Sequence, residues 1–578
     1  MKIKNILYYS SLIVIVILVN IIFHHINYNI DLTSDKIHSL SNESIETVSS
    51  LEEKIFINIY LEGDFPAEFK HLQNSTLNLL KILRELSNNM IDYQFIDPNK
   101  SDDNKARMEF YKKLVNQGLN PTDLEIRENG KSVNQIIFPG AILYYKEKYL
   151  SINLLENLLG TSASNNINLS IENLEYKFIS SIQQLKRSKL KKIGFLEGNG
   201  ELNSNEVFDI VESVTNDNHK LSYFFDIERF NIKHFELDSL TNEPDITKQI
   251  NKLNNFSALI IANPTKPFNT LDKFIIDQYV MNGGKILWLV DGVNAKMDSL
   301  NNFSGRFLSL KNELNIDDLL FKYGVRINSN LIQDLRCTEI PIITGYSNKQ
   351  PIQNFFQWPY FPLLFSTNNH PISKGLDAVK CEFVSSIDTI ENNIKKTVLL
   401  HSSKNSRLLP SPIEISLELI KNPPPLSSFN KPNQNIAVLL EGKFESVFKN
   451  RILPKKQLTS FISDSKETKM IIVSDGDMIA NKVSKKGNIF PLGYDKYIDF
   501  IYAGNKRFII NSLLYLCDSG DVAKLKSKTL KLRRLDQNKV KKYKLFIQII
   551  NILIPIILLV LMIFFNIYYR NKKYGKAK

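Results

Sequence analysis

Two uncharged apolar runs bracket this chain and limit what the rest of it can be. "ILYYSSLIVIVILVNIIF" covers Ile6 to Phe23, and "LFIQIINILIPIILLVLMIFFNI" covers Leu545 to Ile567. As helices rising about 1.5 Å per residue, both reach roughly across the 30 Å hydrocarbon core of a bilayer. Pro555 lies inside the second run, where it predicts a kink that membrane helices tolerate. Lys2 and Lys4 precede the first run as in a signal peptide, but "HHINYNIDL" follows it in place of a small-x-small cleavage site. The sequence therefore reads as an uncleaved signal anchor, with a cleaved peptide as the alternative. Lys2 and Lys4 at one end, and Arg570, Lys572, Lys573, Lys576 and Lys578 at the other, predict that both termini are cytoplasmic. About 520 residues would then lie outside, in a two-pass protein of the inner membrane with its large part in the periplasm.

The net charge of +13 acquires meaning only when it is located. Lys2, Lys4 and the 15 basic residues of 520–578 can be set aside with Asp521 and Asp536; 56 basic residues then face 58 acidic ones. The excess sits beside the apolar runs, which points to a membrane surface and excludes a nucleic-acid partner. "KLKSKTLKLRRLDQNKVKKYK", Lys524 to Lys544, places ten basic residues on the outer side. It reads either as a solvated helix or as a contact with anionic headgroups or an acidic partner. An apolar fraction of 43% and a length of 578 residues suit two or three globular domains. Cys337, Cys381 and Cys517 are far apart with no CxxC among them, so a zinc ribbon and a dithiol redox site are excluded.

Between the runs, the hydrophobic period switches between two and 3.6. "EEKIFINIYL" (52–61) alternates as a strand, "AEFKHLQNSTLNLLKILREL" (67–86) is helical and "IDYQFIDP" (91–98) is a strand again. "NQIIFPGAILYYKEKYLSI" (134–152) predicts a strand, Pro139-Gly140 and a hairpin, and 168–187 one helix. This order resembles the thioredoxin fold in topology, but no cysteine precedes Cys337, so redox chemistry is ruled out there. Further on come strands at 192–197, 256–264 and 285–292, a helix at 205–214 and an amphipathic helix at 269–282 capped by Asn269 or Thr270 and closed by Gly283-Gly284. Continuous apolar strands alternating with helices predict a parallel sheet. Two more strands, "IAVLLEG" (436–442) and "MIIVSDGD" (470–477), fall in a less regular region around 300–520.

The candidate chemistry sits at turns. "FLEGNGE" has the glycines of a phosphate loop, but Glu197 and Glu201 stand where an anion would bind and no Lys-Ser/Thr follows. A tight strand-to-helix turn, with Glu201 near a helix N-terminus, is the expectation. The strand, helix, Gly-Gly and strand ending at Val290-Asp291-Gly292 resemble the glutamine-amidotransferase-like fold, whose active members carry a cysteine nucleophile on that elbow. Here the elbow has no Cys, Ser or Thr, which predicts a sheet that has lost its catalysis. Asp291, Asp475 and Asp477 end strands; they read as ordinary turn residues or as a Mg²⁺ or Ca²⁺ site. In "NFFQWPYFPLLF" (354–365), Pro359 and Pro362 are expected to break regular structure, leaving Trp358 and Tyr360 either in a core or on an exposed contact surface.

"DLTSDKIHSLS", "YLEGDFPAEFKHLQ", "IGFLEGNGEL", "DKFIIDQYVMNGGKILWLVD", "WPYFPLL", "HPISKGLDAVKCEFVSSIDTI", "SDGDMIAN" and "PLGYDK" occur in one order between about residue 30 and the second apolar run. Together they resemble the GldG family of gliding-motility-associated ABC transporter components of Bacteroidetes. The resemblance implies a substrate-binding-like auxiliary protein working with an ATPase and a membrane permease, and an α/β organisation in six parts. These are an anchor (1–28), a cysteine-free thioredoxin-like domain (29–187), an amidotransferase-like auxiliary domain (188–520), a basic juxtamembrane segment (521–544), a second membrane helix (545–567) and a basic cytoplasmic tail (568–578). It implies no cofactor and leaves a transported ligand unnamed. A helix at each end suits a permanent, non-catalytic subunit. The alternatives are a periplasmic hydrolase or amidotransferase-like enzyme and a ligand-binding receptor.

Overall fold

Period-two alternation shapes the first sheet of the computed structural model, which describes residues 40–574 apart from 102, 129–130, 157–162, 187–190, 216–224, 238–241, 348–349, 367–369, 375, 455–460, 485 and 518–536. The first apolar run and most of the basic segment before Lys544 lie outside these residues. The chain divides into two units, Met1–Lys528 and Thr529–Lys578.

In the larger unit, β1 (Ile55–Ile59), α1 (Ala67–Leu86) and β2 (Ile91–Phe95) form the expected parallel βαβ step, with Ile55 opposite Ile91. Helix α2 (Asn104–Asn116) and the hairpin β3 (Thr122–Glu128) and β4 (Lys131–Ile137) follow. The hairpin β5 (Gly140–Tyr145) and β6 (Lys148–Asn153) then returns antiparallel to β1, giving the order β2-β1-β5-β6. Gly140 is required at the start of β5 because a side chain there would meet the backbone oxygen of Ile152 at 2.9 Å. Where one helix is expected over 168–187, the structure has two, α3 (Ala163–Glu172) and α4 (Leu174–Lys186). They break at Asn173, whose side-chain amide is drawn to Glu156 at 3.4 Å.

The second sheet holds β7 (Lys191–Glu197), β8 (Phe225–Asn231), β9 (Ala258–Ala262) and β10 (Ile286–Leu289). Helix α5 (Thr270–Met281) joins the last two and begins in a capping box between Asn269 and Asp272. An amphipathic helix is expected there, but every residue from Asp272 to Met281 is buried, since the helix is covered on its outer side as well as by the sheet. The later region adds three strands to this sheet: β13 (Lys395–His401), β14 (Asn435–Glu445) and β15 (Asp464–Val473), named after the hairpin β11 (Cys337–Ser347) and β12 (Gln350–Leu364). The order is β13-β14-β15-β10-β9-β7-β8. The five strands from β15 to β8 are parallel; β13 and β14 run antiparallel at one edge, so the sheet is mixed where a parallel one is expected.

Pro359 and Pro362 do not break the chain as expected. They lie within β12, an unbroken strand of 15 residues. Tyr360 and Pro362 offer their carbonyls to the amides of Phe383 and Cys381 at 3.0 Å, contacts that need no proline N–H. The three cysteines are free.

Helix α6 (Ala503–Cys517) packs against the second sheet and also ties it to the first. Its Arg507 reaches Glu156, in the turn after β6, at 2.6 Å, while Lys177 of α4 reaches the other oxygen at 3.0 Å. Lys177 also donates to the carbonyls of Asn153 and Leu154. Burial pushes the Glu156 carboxyl up, but the two cations more than offset this and hold it at about 2. In the smaller unit, one helix, α7 (Gln537–Tyr574), contains a stretch Leu553–Lys572 of mean hydropathy 2.1 that is long and apolar enough to cross a membrane.

Glu156→Gln would leave the buried Lys177 ammonium short of its counter-ion, and we expect a loss of about 3 kcal/mol at neutral pH. Because the folded-state pKa of Glu156 is depressed, its contribution is complete above the unfolded carboxylate range and fades as pH falls from about 4 towards 2. Chemical-denaturation curves of the wild type and the variant should differ at pH 3 by less than half the gap at pH 7. Equal gaps would reject the assignment.

Candidate functional site

Parallel strands deliver their C-terminal ends to one edge of the sheet, and such edges carry the chemistry of α/β proteins. Here β9 delivers Asn263, β10 delivers Asp291 and β15 delivers Asp475 and Asp477. The backbone N–H of Gly476 donates to Asp291 Oδ1 at 2.6 Å, and Asn263 Nδ2 donates to Asp477 Oδ1 at 2.9 Å. Gly476 must be glycine, since a side chain would meet the Asn263 side chain at 2.5 Å. The backbone N–H of Glu382 donates to Asp475 Oδ2 at 3.0 Å, while Asp475 Oδ1 is buried with no hydrogen-bond partner. The structure therefore brings together the three aspartates that the sequence singled out.

Sequence reasoning missed what closes over them. Residues 380–386 cross this edge and bring Lys380, Cys381 and Glu382. Lys380 sits 3.0 Å from Glu382 and 2.9 Å from Asp495, and Lys482 lies 3.1 Å from the other Glu382 oxygen. Thr338 donates to Asp495 at 3.0 Å. Burial raises the Glu382 carboxyl, but Lys482 and Lys380 overcome it and hold it at about 2. Burial, with the Asp477 charge next in weight, pushes Asp475 up to about 7. Asp291 is raised well above its ordinary range by burial and then by Asp477 and Asp475. The alternation of the strands signalled Asp291, Asp475 and Asp477. No local pattern links them to a lysine and a glutamate some 90 residues away in sequence.

Nucleophiles are present at this edge but spent. Cys381 is buried beside Asp475, and burial followed by that carboxylate raises its thiol well above the usual range, so the thiolate is suppressed. Ser385 lies against Gly292 of the elbow, fully buried, and donates its hydroxyl to the Asn330 carbonyl at 2.7 Å. Among the described residues, no group of three or more His, Cys, Asp or Glu side chains is placed to hold a metal ion.

The glycine loop after β7 is closed by its own residues. Glu201 Oε2 accepts from the Asn199 N–H at 2.7 Å, filling the place of an incoming anion, and burial raises its carboxyl. The Asn199 carbonyl accepts from Lys266 and Thr265 at 2.8 and 3.0 Å. Gly200, at φ +78°, approaches Thr265 so closely that a side chain would meet its hydroxyl at 2.2 Å. Glu197 pairs with Arg229. Glu197 and Glu201 thus lie at the end of β7, two strands along the sheet from Asp291. Trp358 and Tyr360 are elsewhere, buried in a separate core with Phe361 and Phe383, which places them inside and not on a contact surface.

Comparison with known proteins gives a family and little else. The family model described as an ABC-type uncharacterized transport system matches residues 190–512, more than half of the chain. A domain of unknown function matches residues 34–144. An uncharacterized protein of Borreliella burgdorferi is 24% identical over 442 residues, covering 73% of this chain and 74% of its own. The N-terminal domain of mmIFT52 aligns over 57% of this chain and 99% of its own, at 14% identity and a TM-score of 0.30.

Asp475→Asn keeps an acceptor for the Glu382 N–H and removes a buried charge. Because the folded-state pKa of Asp475 is raised, its contribution is most favourable below about pH 4 and is lost as pH rises through about 7. The variant should be more stable than the wild type at pH 8, by on the order of 2 kcal/mol, with the gap narrowing below about pH 7 and closing near pH 4. Thermal melts across that range check it; a variant less stable at pH 8 would contradict it.

Proposed function

The chain belongs to the ABC-type uncharacterized transport system family, and on that premise we propose that it is a non-catalytic, membrane-anchored auxiliary subunit of an ABC transport complex. The observation that carries this reading is a strand-end edge whose candidate groups are already engaged within the fold. Asp475 is fully buried there, Cys381 is held as a thiol, the Ser385 hydroxyl is committed to a backbone carbonyl, and the glycine loop is filled by Glu201. A transport assembly driven by ATP must then draw that energy from another subunit, and an ATPase and a permease are the partners implied. The α7 stretch Leu553–Lys572 supports anchoring. The basic flanks of both apolar runs support two passes with cytoplasmic termini and a periplasmic body. The strand order β2-β1-β5-β6 supports a thioredoxin-like first domain, and the β9–α5–β10 elbow supports an amidotransferase-like second one. Service in gliding motility rests on the sequence resemblance to GldG proteins.

Two measurements test the reading. Deleting Leu545–Ile567 removes an anchor and its lateral packing surface. ATPase and permease subunits should then be lost from mild-detergent purification by tenfold or more, on the order of 1.4 kcal/mol or greater in association. Wild-type recovery of both would reduce the helix to a tether. Asp291→Asn, in turn, should leave the transport or motility phenotype of the cell unchanged. A lost phenotype with normal protein level, melting and partner recovery would return the elbow to catalysis.

A further inference from the structure

The strand that buries Trp358 continues outward as something different. Strands β11 and β12 form a long antiparallel hairpin, with Ile340 opposite Phe356, Pro341 opposite Phe355 and Ile343 opposite Gln353. Its root is packed into the core around Trp358. Its outer half is not: every residue from Gln350 to Phe355 is exposed. Ile343 and Phe355 are 51% exposed, Tyr346 is 70% and Ile352 is 45%. Cross-strand partners share a face, so Pro341, Ile343, Phe355 and Tyr346 lie on one side of this arm. From Ile340 to Gln357 there is no carboxylate, and Lys349 is the one charged residue. An isolated two-stranded arm with apolar residues turned to water gains nothing from water.

The backbone narrows what can cover it. Among the described residues, β12 meets residues 379–383 on its outward side only from Tyr360 to Leu364, so both edges of the outer half are open. Open apolar edges invite strand addition, yet Pro341 and Pro351 each lack an N–H and the register shifts between Ile343 and Gly345, the devices that discourage such pairing. The occupant must therefore engage side chains and leave the edge groups hydrated. Deep insertion into hydrocarbon is also excluded, because those N–H and C=O groups would go unsatisfied. A bilayer interface meets both conditions: it accepts aromatic and aliphatic side chains, supplies water to the backbone, favours tyrosine at headgroup depth and requires no acidic complement.

We propose that the outer half of the β11–β12 hairpin is a membrane-contacting arm that inserts Ile343, Tyr346 and Phe355 shallowly among the headgroups of a bilayer. This rests on the reading of α7 as a membrane helix, which holds the chain at such a surface.

The test uses the full chain, reconstituted into phosphatidylcholine liposomes carrying bromines either near the headgroup or near the chain end. Both native tryptophans, Trp288 and Trp358, are buried, so Tyr346→Trp adds a reporter at the tip. Leu308→Trp, at a site 60% exposed on another strand, is the control. Emission from the indole added by Tyr346→Trp should be quenched about twofold or more by the shallow bromines, and less by the deep ones. Phe355→Trp, on the same face, should report the same, and provides the reading if the first variant misfolds. Quenching no greater than that of Leu308→Trp, in protein that floats with the liposomes, overturns the arm and leaves the α7 reading intact. Protein that fails to float overturns both. A photo-crosslinker at position 346 that captures a protein chain without any lipid quenching shows the arm to be a protein-docking element and rejects the proposal.

Discussion

The seven-stranded sheet is buried on both faces, and the rest of the larger unit follows from that burial. Ala258, Ile260 and Ala262 of β9 point into one core while Leu259 and Ile261 point into the other, and Leu287 and Leu289 of β10 face opposite to Ile286 and Trp288. Helices must cover both sides, and α5 is in turn overlaid by residues 446–448 and 461–462, which is why it is buried around its whole circumference. At roughly 1.5–3 kcal/mol for each large side chain removed from water, these two cores dominate the favourable side of the balance.

At the strand ends the same burial that stabilises the sheet makes charge expensive. Three aspartates converge there, Asp475 fully buried and Asp291 and Asp477 partly so, and all three are pushed towards protonation, while Glu382 keeps its charge because Lys380 and Lys482 stand beside it. A working active site at such an edge keeps a position open for a reactant. Here residues 380–386 cross the edge, with the Glu382 N–H on Asp475 and the Ser385 hydroxyl on the Asn330 carbonyl, and so join the sheet to the region beside it. Glu156 has the corresponding role between the two sheets, with Lys177 and Arg507 balancing one buried carboxylate.

Much of this could be read along the chain, because the elements obey local rules. α1 matches its sequence boundaries, 67–86, to the residue, since its apolar positions recur at helical spacing and Ser87 and the following turn end it. The capping box at Asn269 and Asp272 and the glycines after α5 were equally local. The helix expected over 168–187 is interrupted at Asn173 by a single turn residue, although the bonds from Asn173 N–H to Leu169 and from Lys177 N–H to Asn173 are kept. The prolines of β12 misled because a register shift against β11, and partners that use the carbonyls of Tyr360 and Pro362, accommodate prolines in a strand that local propensity forbids.

The sequence by itself determined the apolar runs, the separation of charge from the body, the βαβ steps and the acidic strand ends, all of which depend on residues within one or two turns of each other. Tertiary structure decided what contacts at long range decide. It turned Asp291, Asp475 and Asp477 into one cluster, set Cys381 and Glu382 against them from about 90 residues away, placed Trp358 in a core, and left Ile343 and Phe355 outside it. Periodicity tells which face of an element is apolar; only the packed fold tells whether that face finds a neighbour.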